Sequence, residues 1–201
     1  MRLMVGQAAP QFTVAELYRR RVSLHNYAGA YLLLSFHRFA VCPLCDLRLW
    51  HLTRRYEEYR QCGLYMMTFV ESVPDKTHWY LNRLECPFPI VPDLRGAIYR
   101  LYGVETSAFG IARGLLTRQG AYRQAAAQHL GGWKLKDMDG TFTRLPASFV
   151  IGPDQRIALA FYGHDSGDFL PFTDLDVFLS GVSARQSPSS AWHMVPSDAG
   201  R

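Results

Sequence analysis

Short unbroken apolar runs alternate along this chain with longer stretches whose apolar residues recur every three or four positions. Tyr31-Leu32-Leu33-Leu34-Ser35-Phe36 is aliphatic and aromatic throughout, which predicts a strand buried on both faces over 31–37. Residues 46–60 have a different period. Cys45, Leu49, Leu52, Tyr56 and Tyr59 fall at i, i+4, i+7, i+11 and i+14, one face of a helix, while Arg48, Arg54, Arg55, Glu57 and Glu58 supply its polar side. Gly63 is its stop. Leu64 to Val70 is again a doubly buried strand, and Pro74-Asp75 opens a helix to about Leu84 with Ser72 as cap. An extended, proline-held stretch over 87–93 precedes a short helix over 94–102, closed by Gly103. Strand, helix, strand, helix in this order implies right-handed crossovers and parallel pairing.

The rhythm breaks over 104–144. Residues 121–130 favour helix, Gly131-Gly132 end it, and Asp137-Met138-Asp139-Gly140 is turn-rich, so this region reads as an insertion over one end of the sheet. Strand residues 145–151, a tight turn at Gly152-Pro153-Asp154-Gln155 and a returning strand over 156–161 form an antiparallel hairpin. Residues 174–179 make a closing helix. Before the first long strand, 6–30 read as an approach segment holding a short strand at Val22-Ser23-Leu24. From Ser183 onward Ser, Pro, Gly and Ala dominate, and a disordered tail is expected over 183–201. The domain is therefore placed at 1–182, an α/β fold with a central mixed sheet flanked by helices and a helical insertion. No internal repeat is visible.

Composition narrows the class. At 201 residues, 48% hydrophobic and 19% charged, the chain has globular values and length for one sizeable core. No apolar run approaches the roughly 18 residues of a membrane span, and the first residues carry no apolar leader, so the expected compartment is a reducing cytoplasm with no membrane partner. The net charge of +5, densest at Arg19-Arg20-Arg21 and Arg54-Arg55, comes without an aromatic-interleaved basic stripe, which argues against nucleic acid and leaves anionic partners open.

Candidate chemistry lies in Cys42-Pro43-Leu44-Cys45, at the junction of the first long strand and the first long helix. Four cysteines in a reducing compartment are not a disulfide framework, and C-x-x-C there is catalytic or metal-binding. A sulfur at a helix N-terminus meets free backbone N–H groups and the positive end of the macrodipole, both of which favour thiolate. Pro43 fits the first helical turn, where its missing N–H is not needed. Arg38, at the end of the same strand, is the candidate cation beside the thiols; strand alternation turns its neighbour His37 elsewhere. Such a pair can attack a peroxide, forming a sulfenic acid that the second cysteine condenses with, or a disulfide through a mixed disulfide. The motif does not choose between these routes. Zinc would need two further ligands, which neither Cys62 nor Cys86 supplies as part of a pair. Cys62 is expected as a small buried residue, and Cys86 as an ordered loop residue, with a distant resolving role as the lesser reading. Trp50, Trp79 and Trp133 are expected in packing, His129, His164 and His193 without chemistry, and Asp165-Ser166-Gly167-Asp168 as a loop.

These landmarks carry a resemblance. Gly6-Gln7-Ala8-Ala9-Pro10-Gln11-Phe12 resembles the opening G-x-x-A-P-x-F of peroxiredoxins. Phe36-His37-Arg38-Phe39-Ala40-Val41-Cys42-Pro43-Leu44-Cys45 resembles the active-site stretch of the alkyl hydroperoxide reductase/thiol-specific antioxidant family, closest to its peroxiredoxin-like branch. Leu145-Pro146-Ala147-Ser148-Phe149-Val150-Ile151 resembles the cis-proline loop and hairpin strand of the thioredoxin fold. The resemblance implies a thioredoxin-like fold and a thiol-dependent antioxidant oxidoreductase. It also implies no cofactor beyond an external thiol donor of thioredoxin or glutathione type, and it leaves a homodimer open without fixing the oligomeric state. It further implies that Leu145 and a cis Pro146 face the cysteines and, with Pro43, position substrate. By spacing from Phe36, Cys45 matches the peroxidatic cysteine; by thioredoxin logic Cys42 attacks and Cys45 resolves. The chain departs from the peroxiredoxin pattern where Arg38 replaces a proline and Cys42 a threonine, and the arginine that pattern holds near the later strand has no clear counterpart, because Pro146 occupies the neighbouring thioredoxin position. A disulfide reductase and a non-catalytic binding module on the same fold are the alternatives.

Overall fold

The computed structural model describes residues 1–130 and 138–183. Its centre is a five-stranded mixed sheet in the order β5-β4-β3-β6-β7. Strand β3 (Tyr31–His37) is the middle strand, parallel to β4 (Leu64–Val70), which is parallel to β5 (Ile90–Pro92). On its other side β3 pairs antiparallel with β6 (Ala147–Ile151), which turns back into β7 (Ile157–Tyr162). The expected parallel half and hairpin are both present.

Because β3 is central, its alternate side chains feed two cores. Leu33 joins Met66, Val70 and Val150 under Leu49, Leu52, Tyr56 and Tyr59 of α1 (Pro43–Gln61) and Leu175 and Leu179 of α6 (Phe172–Ser183). Leu32, Leu34 and Phe36 face the other way, with Phe12, Phe69, Phe149 and Tyr99 and Tyr102 at α3 (Ala97–Leu101). There Phe36 stacks on Phe69 with centroids 4.8 Å apart. The helical stripe of α1 is buried as its periodicity predicts, and Gly63, with φ 78°, takes the left-handed turn that lets the chain reverse into β4.

Several boundaries and local readings change. A two-stranded ribbon, β1 (Thr13–Ala15) with β2 (Arg21–Ser23), forms where only an approach segment and one short strand are expected. The helix after Pro74 is α2 (Pro74–Leu81), followed by a 3₁₀ turn, and Ser72 does not cap it. Its hydroxyl instead accepts from Ala40 N (2.9 Å) and donates to Asp139 (2.7 Å). Cys62 is exposed, because it sits at the helix C-cap after the buried stripe has ended. Trp79 is 80% exposed on α2 and contributes nothing to the core. Arg48, read as polar-side, is only 6% exposed.

The 104–144 region holds two helices, α4 (Ala108–Thr117) and α5 (Gln119–Ala127), the first unforeseen and the second ending before Leu130. The Gly131-Gly132 stop, Trp133, Asp137, His193 and nearly all of the expected tail lie outside the described residues. No helix among the described residues is long and apolar enough to cross a membrane.

Candidate active site

The chain leaves the sheet at His37, turns through Phe39–Val41 and enters α1 with Cys42 as N-cap and Pro43 at the first helical position. That turn is fixed from outside. Glu71 N–H bonds to Arg38 O (2.8 Å), Ala40 N–H to Ser72 Oγ, and Cys42 N–H to Phe39 O (3.1 Å). Both sulfurs are buried, Cys42 at 1% and Cys45 at 2% exposure. Arg38 sits between them and the later segment: its backbone N–H points at Cys45 Sγ (3.4 Å), its Nη1 lies 3.8 Å from Cys42 Sγ, and its Nη2 donates to Phe142 O (2.7 Å). The guanidinium lies between the rings of Phe39 and Phe142, 4.7 and 5.4 Å from their centroids.

These neighbours drive the two thiols apart. Burial alone pushes Cys42 up, but a hydrogen bond from Cys45, the Arg38 charge and the N–H groups of Cys45 and Leu44 outweigh it and bring the pKa to about 6. Cys45 is pushed up by burial, by donating that same hydrogen bond and by the negative charge developing on Cys42. The arrangement therefore holds one thiolate and one thiol, with Cys42 the ionised member at neutral pH.

Residues 138–144 form a cover over this site, bolted to the end of β4. Asp139 accepts from Ser72 Oγ and Val73 N (2.8 Å). Glu71 holds Thr141 Oγ1 (2.8 Å) and both oxygens engage Arg144 at 2.9 and 3.0 Å, while Arg144 Nη1 reaches Val104 O. Gly140 lies so close to Glu71 O and Phe39 that a side chain there would displace the turn. Met138, Tyr122 of α5 and Phe169 pack against the buried group that contains both cysteines. None of Glu71, Asp139, Phe142 and Arg144 is singled out by the sequence; a single acidic residue after a strand and a turn-rich stretch carry no local signal of contact.

Arg38, Cys42, Pro43 and Cys45 are thus brought together. Leu145 and Pro146 precede β6, whose Ala147 pairs with Phe36, so they lie beside the end of β3 that leads into this turn, but without the cis bond that the resemblance implies. The peptide bond between them is trans, both residues are buried, Leu145 N–H bonds to Glu105 O, and Pro146 O accepts from Gly163 N–H. The trans form is the one favoured before proline, by about 0.5–1 kcal/mol. His37 turns from the thiols: its Nε2 pairs with Ser35 Oγ (2.9 Å) and its ring lies 5.4 Å from that of Phe169. Cys86 bonds with Thr53 Oγ1 (3.3 Å), and Thr53 is eight residues beyond Cys45 on α1, a rise of about 12 Å. Burial, its largest influence, pushes its pKa to about 11. Both facts separate it from the redox pair.

A mixed sheet with two thiols where its central strand meets a long helix defines the thioredoxin-like class. Residues 5–160 match the AhpC/TSA family, and the chain belongs to it. It is 29% identical to a peroxiredoxin of Thermoplasma volcanium over 110 residues, 52% of this chain and 54% of that protein. It is 23% identical to the thiol-disulfide oxidoreductase ResA of Bacillus thuringiensis over 104 residues, 51% and 60% of the two chains. The match thus spans about half the length of such curated relatives. Among solved structures, peroxidoxin BcpB of Mycobacterium tuberculosis superposes with a TM-score of 0.65 at 14% identity, over 92% of this chain and 99% of that one. A thiol:disulfide interchange protein DsbE of Chlorobium tepidum gives 0.59 at 17%, over 90% and 98%. These two share the fold.

Proposed function

We propose that the protein is a thiol-dependent peroxide reductase in which Cys42 attacks and Cys45 resolves. The observation that carries this reading is the Arg38 guanidinium 3.8 Å from Cys42 Sγ, in a site where both sulfurs are buried. The Cys42 thiolate attacks one oxygen of a hydroperoxide, the O–O bond breaks, and the alcohol or water leaves after taking a proton. Cys42 becomes a sulfenic acid. Cys45 then loses its proton and attacks the Cys42 sulfur, water departs, and a Cys42–Cys45 disulfide forms. An external dithiol, or two monothiols of glutathione type, returns both sulfurs to the thiol state. Arg38 offsets the charge on sulfur and donates to the peroxide oxygen that carries charge away. Pro43 shapes the first turn of α1 so that the two sulfurs share one side, and the 104–144 region, through Tyr122 and Phe142, keeps bulk water from them. A reducing compartment suits this cycle, and assembly as a homodimer is compatible with it.

The reading is tested by adding limiting hydrogen peroxide to the reduced protein, trapping sulfenic acid and mapping it by mass spectrometry. Label at Cys42, followed in untrapped samples by a Cys42–Cys45 bridge, is expected; label first at Cys45, or a bridge to Cys86, overturns the assignment. Disulfide exchange is the second reading, favoured by the order of the pair, ionised first cysteine and protonated second. It predicts reduction of insulin disulfides with little peroxide turnover. A binding module would keep full partner binding in the Cys42→Ser, Cys45→Ser double variant.

A further inference from the structure

Helix α4 is built inside out. Its buried residues are Gly110, Ile111 and Gly114, while Phe109 and Leu116 are 78% and 79% exposed. Seven residues apart, these two stand on one line of the helix about 10.5 Å long, with Ala112 and Arg113 exposed between them. The small residues cannot trade places with the large ones: a Cβ at Gly110 would meet His164 O, and one at Gly114 would meet Ser166. An amphipathic helix ordinarily turns its bulky apolar residues to the core. One that packs on glycines and turns the bulky residues to water presents a surface for something else to cover.

This helix is tied to the redox pair at both ends. Arg118 is its C-cap and also the N-cap of α5, and it is held by Asp165 and Asp168. From there α5 lays Ala121 and Tyr122 against the buried group that contains Cys42 and Cys45. At the other end, Ser107 N–H bonds to Thr143 O (2.8 Å), next to Phe142, which is half-exposed and whose carbonyl holds Arg38. The exposed stripe therefore starts beside the cover over the sulfurs. Its rim has one sign. Residues 106–130 contain three arginines and no aspartate or glutamate; Arg118 is neutralised by its two carboxylates, and Arg113 and Arg123 are exposed. Such a face is complementary to an apolar patch with an acidic rim.

We propose that the outer face of α4 is the docking surface for the reductant, a dithiol protein of thioredoxin type with an acidic rim around an apolar patch at its thiols. A small thiol needs no such surface, whereas a protein thiol reaches these buried sulfurs only by gripping the element that covers them. The docked partner's thiolate attacks one sulfur of the oxidised Cys42–Cys45 bridge, the S–S bond breaks, and a mixed disulfide forms. The partner's second thiol then attacks the partner sulfur of that mixed disulfide. The partner loses two electrons and its two thiol protons and ends as a disulfide, and Cys42 and Cys45 are thiols again. This role rests on the redox cycle proposed for the pair, whichever substrate oxidises it.

For the test the bridge is made with diamide, so that peroxide chemistry is not needed. Its reduction is followed with thioredoxin, itself kept reduced by NADPH and its reductase, and separately with dithiothreitol. The double variant Phe109→Ser, Leu116→Ser should lower kcat/KM for thioredoxin about tenfold, chiefly through KM, and leave the dithiothreitol rate unchanged. Arg113→Glu should lower it as well and flatten its decline with added salt. Sulfenic acid and bridge formation with hydrogen peroxide should be unaltered in these variants; their absence in the native protein would defeat the peroxidase reading and leave this one standing. Equal kcat/KM with thioredoxin in the native protein and the double variant overturns the proposal. If that variant also abolishes a native dimer in sedimentation, or attachment to phosphatidylglycerol vesicles, α4 serves that surface instead. An equal fall with dithiothreitol, which does not dock, overturns it too, and a native protein in which diamide forms no Cys42–Cys45 bridge overturns both readings.

Discussion

Replacing Arg38 by methionine removes the charge beside Cys42 while keeping much of the side-chain packing between Phe39 and Phe142. At 3.8 Å the guanidinium and the thiolate attract by about 4 kcal/mol at an effective dielectric constant of about 20. The Cys45 hydrogen bond and the helix amides share the work and remain in the variant. A loss of about 2.7 kcal/mol, roughly a hundredfold in the acidity of Cys42, is therefore expected. Near pH 7 the native Cys42 is roughly nine-tenths ionised and the variant roughly one-tenth. The weaker acid is the stronger nucleophile: with a Brønsted slope of about 0.5, the same hundredfold raises intrinsic reactivity about tenfold. The two effects cancel near neutrality, and a rate measured only there would show little. The variant should instead react about tenfold more slowly near pH 5 and about tenfold faster above pH 9, with the two profiles crossing near pH 7. Alkylation of the reduced proteins by iodoacetamide, with Cys42 occupancy followed by mass spectrometry, gives the profiles, and ultraviolet thiolate absorbance gives the ionisation directly. Parallel profiles with one inflection would mean that Arg38 only positions the turn, and the electrostatic reasoning would be wrong.

Cys45→Ser should still form sulfenic acid at Cys42 with limiting peroxide but no intramolecular bridge, so the labelled species accumulates; a bridge to another cysteine of the same chain would contradict the pairing. Glu71→Gln leaves the Arg144 charge buried without its counter-ion, and urea unfolding should show a loss of about 3 kcal/mol, with faster alkylation of Cys42 as the 138–144 cover loosens. His37 is held down to about 3 in the folded protein, chiefly by burial and then by Arg48. The unfolded chain therefore binds the extra proton first, and this contribution to stability is complete above about pH 6.5 and is lost as pH falls toward 3. Relative to His37→Asn, the native protein should lose about 1.2 kcal/mol between about pH 6 and 5; equal slopes would show that the ring is not buried neutral.

Much of the architecture was legible because it rests on periodicity. A central strand must be apolar on both faces, and a helix packed on one side must repeat every three or four residues; β3, β4 and α1 obey both. Helix α4 was not legible for an opposite reason. It carries glycines at 110 and 114, which read as helix-breaking, and exposes Phe109 and Leu116. In the fold those glycines let α4 approach the backbone of His164 and Ser166 so closely that a Cβ would overlap it. The role given to Ser72 failed similarly: the acceptor at the start of α2 is Asp139, 66 residues away, which takes the Val73 N–H. The cis Leu145–Pro146 bond was expected from resemblance alone, and the bond here is trans.

The sequence determined that two sulfurs stand three residues apart where a buried strand becomes a helix, because strand, turn and helix are specified by neighbours along the chain. Only the tertiary structure decided which sulfur is ionised and which arginine of α1 is buried. Those outcomes follow from distance and burial: Arg38 is held at Cys42 by Phe142, 104 residues later, and Arg48 is walled in by Phe172 of the last helix. Coulomb energy and desolvation depend on what surrounds a charge in space, and the surroundings here are assembled from segments that no local pattern connects.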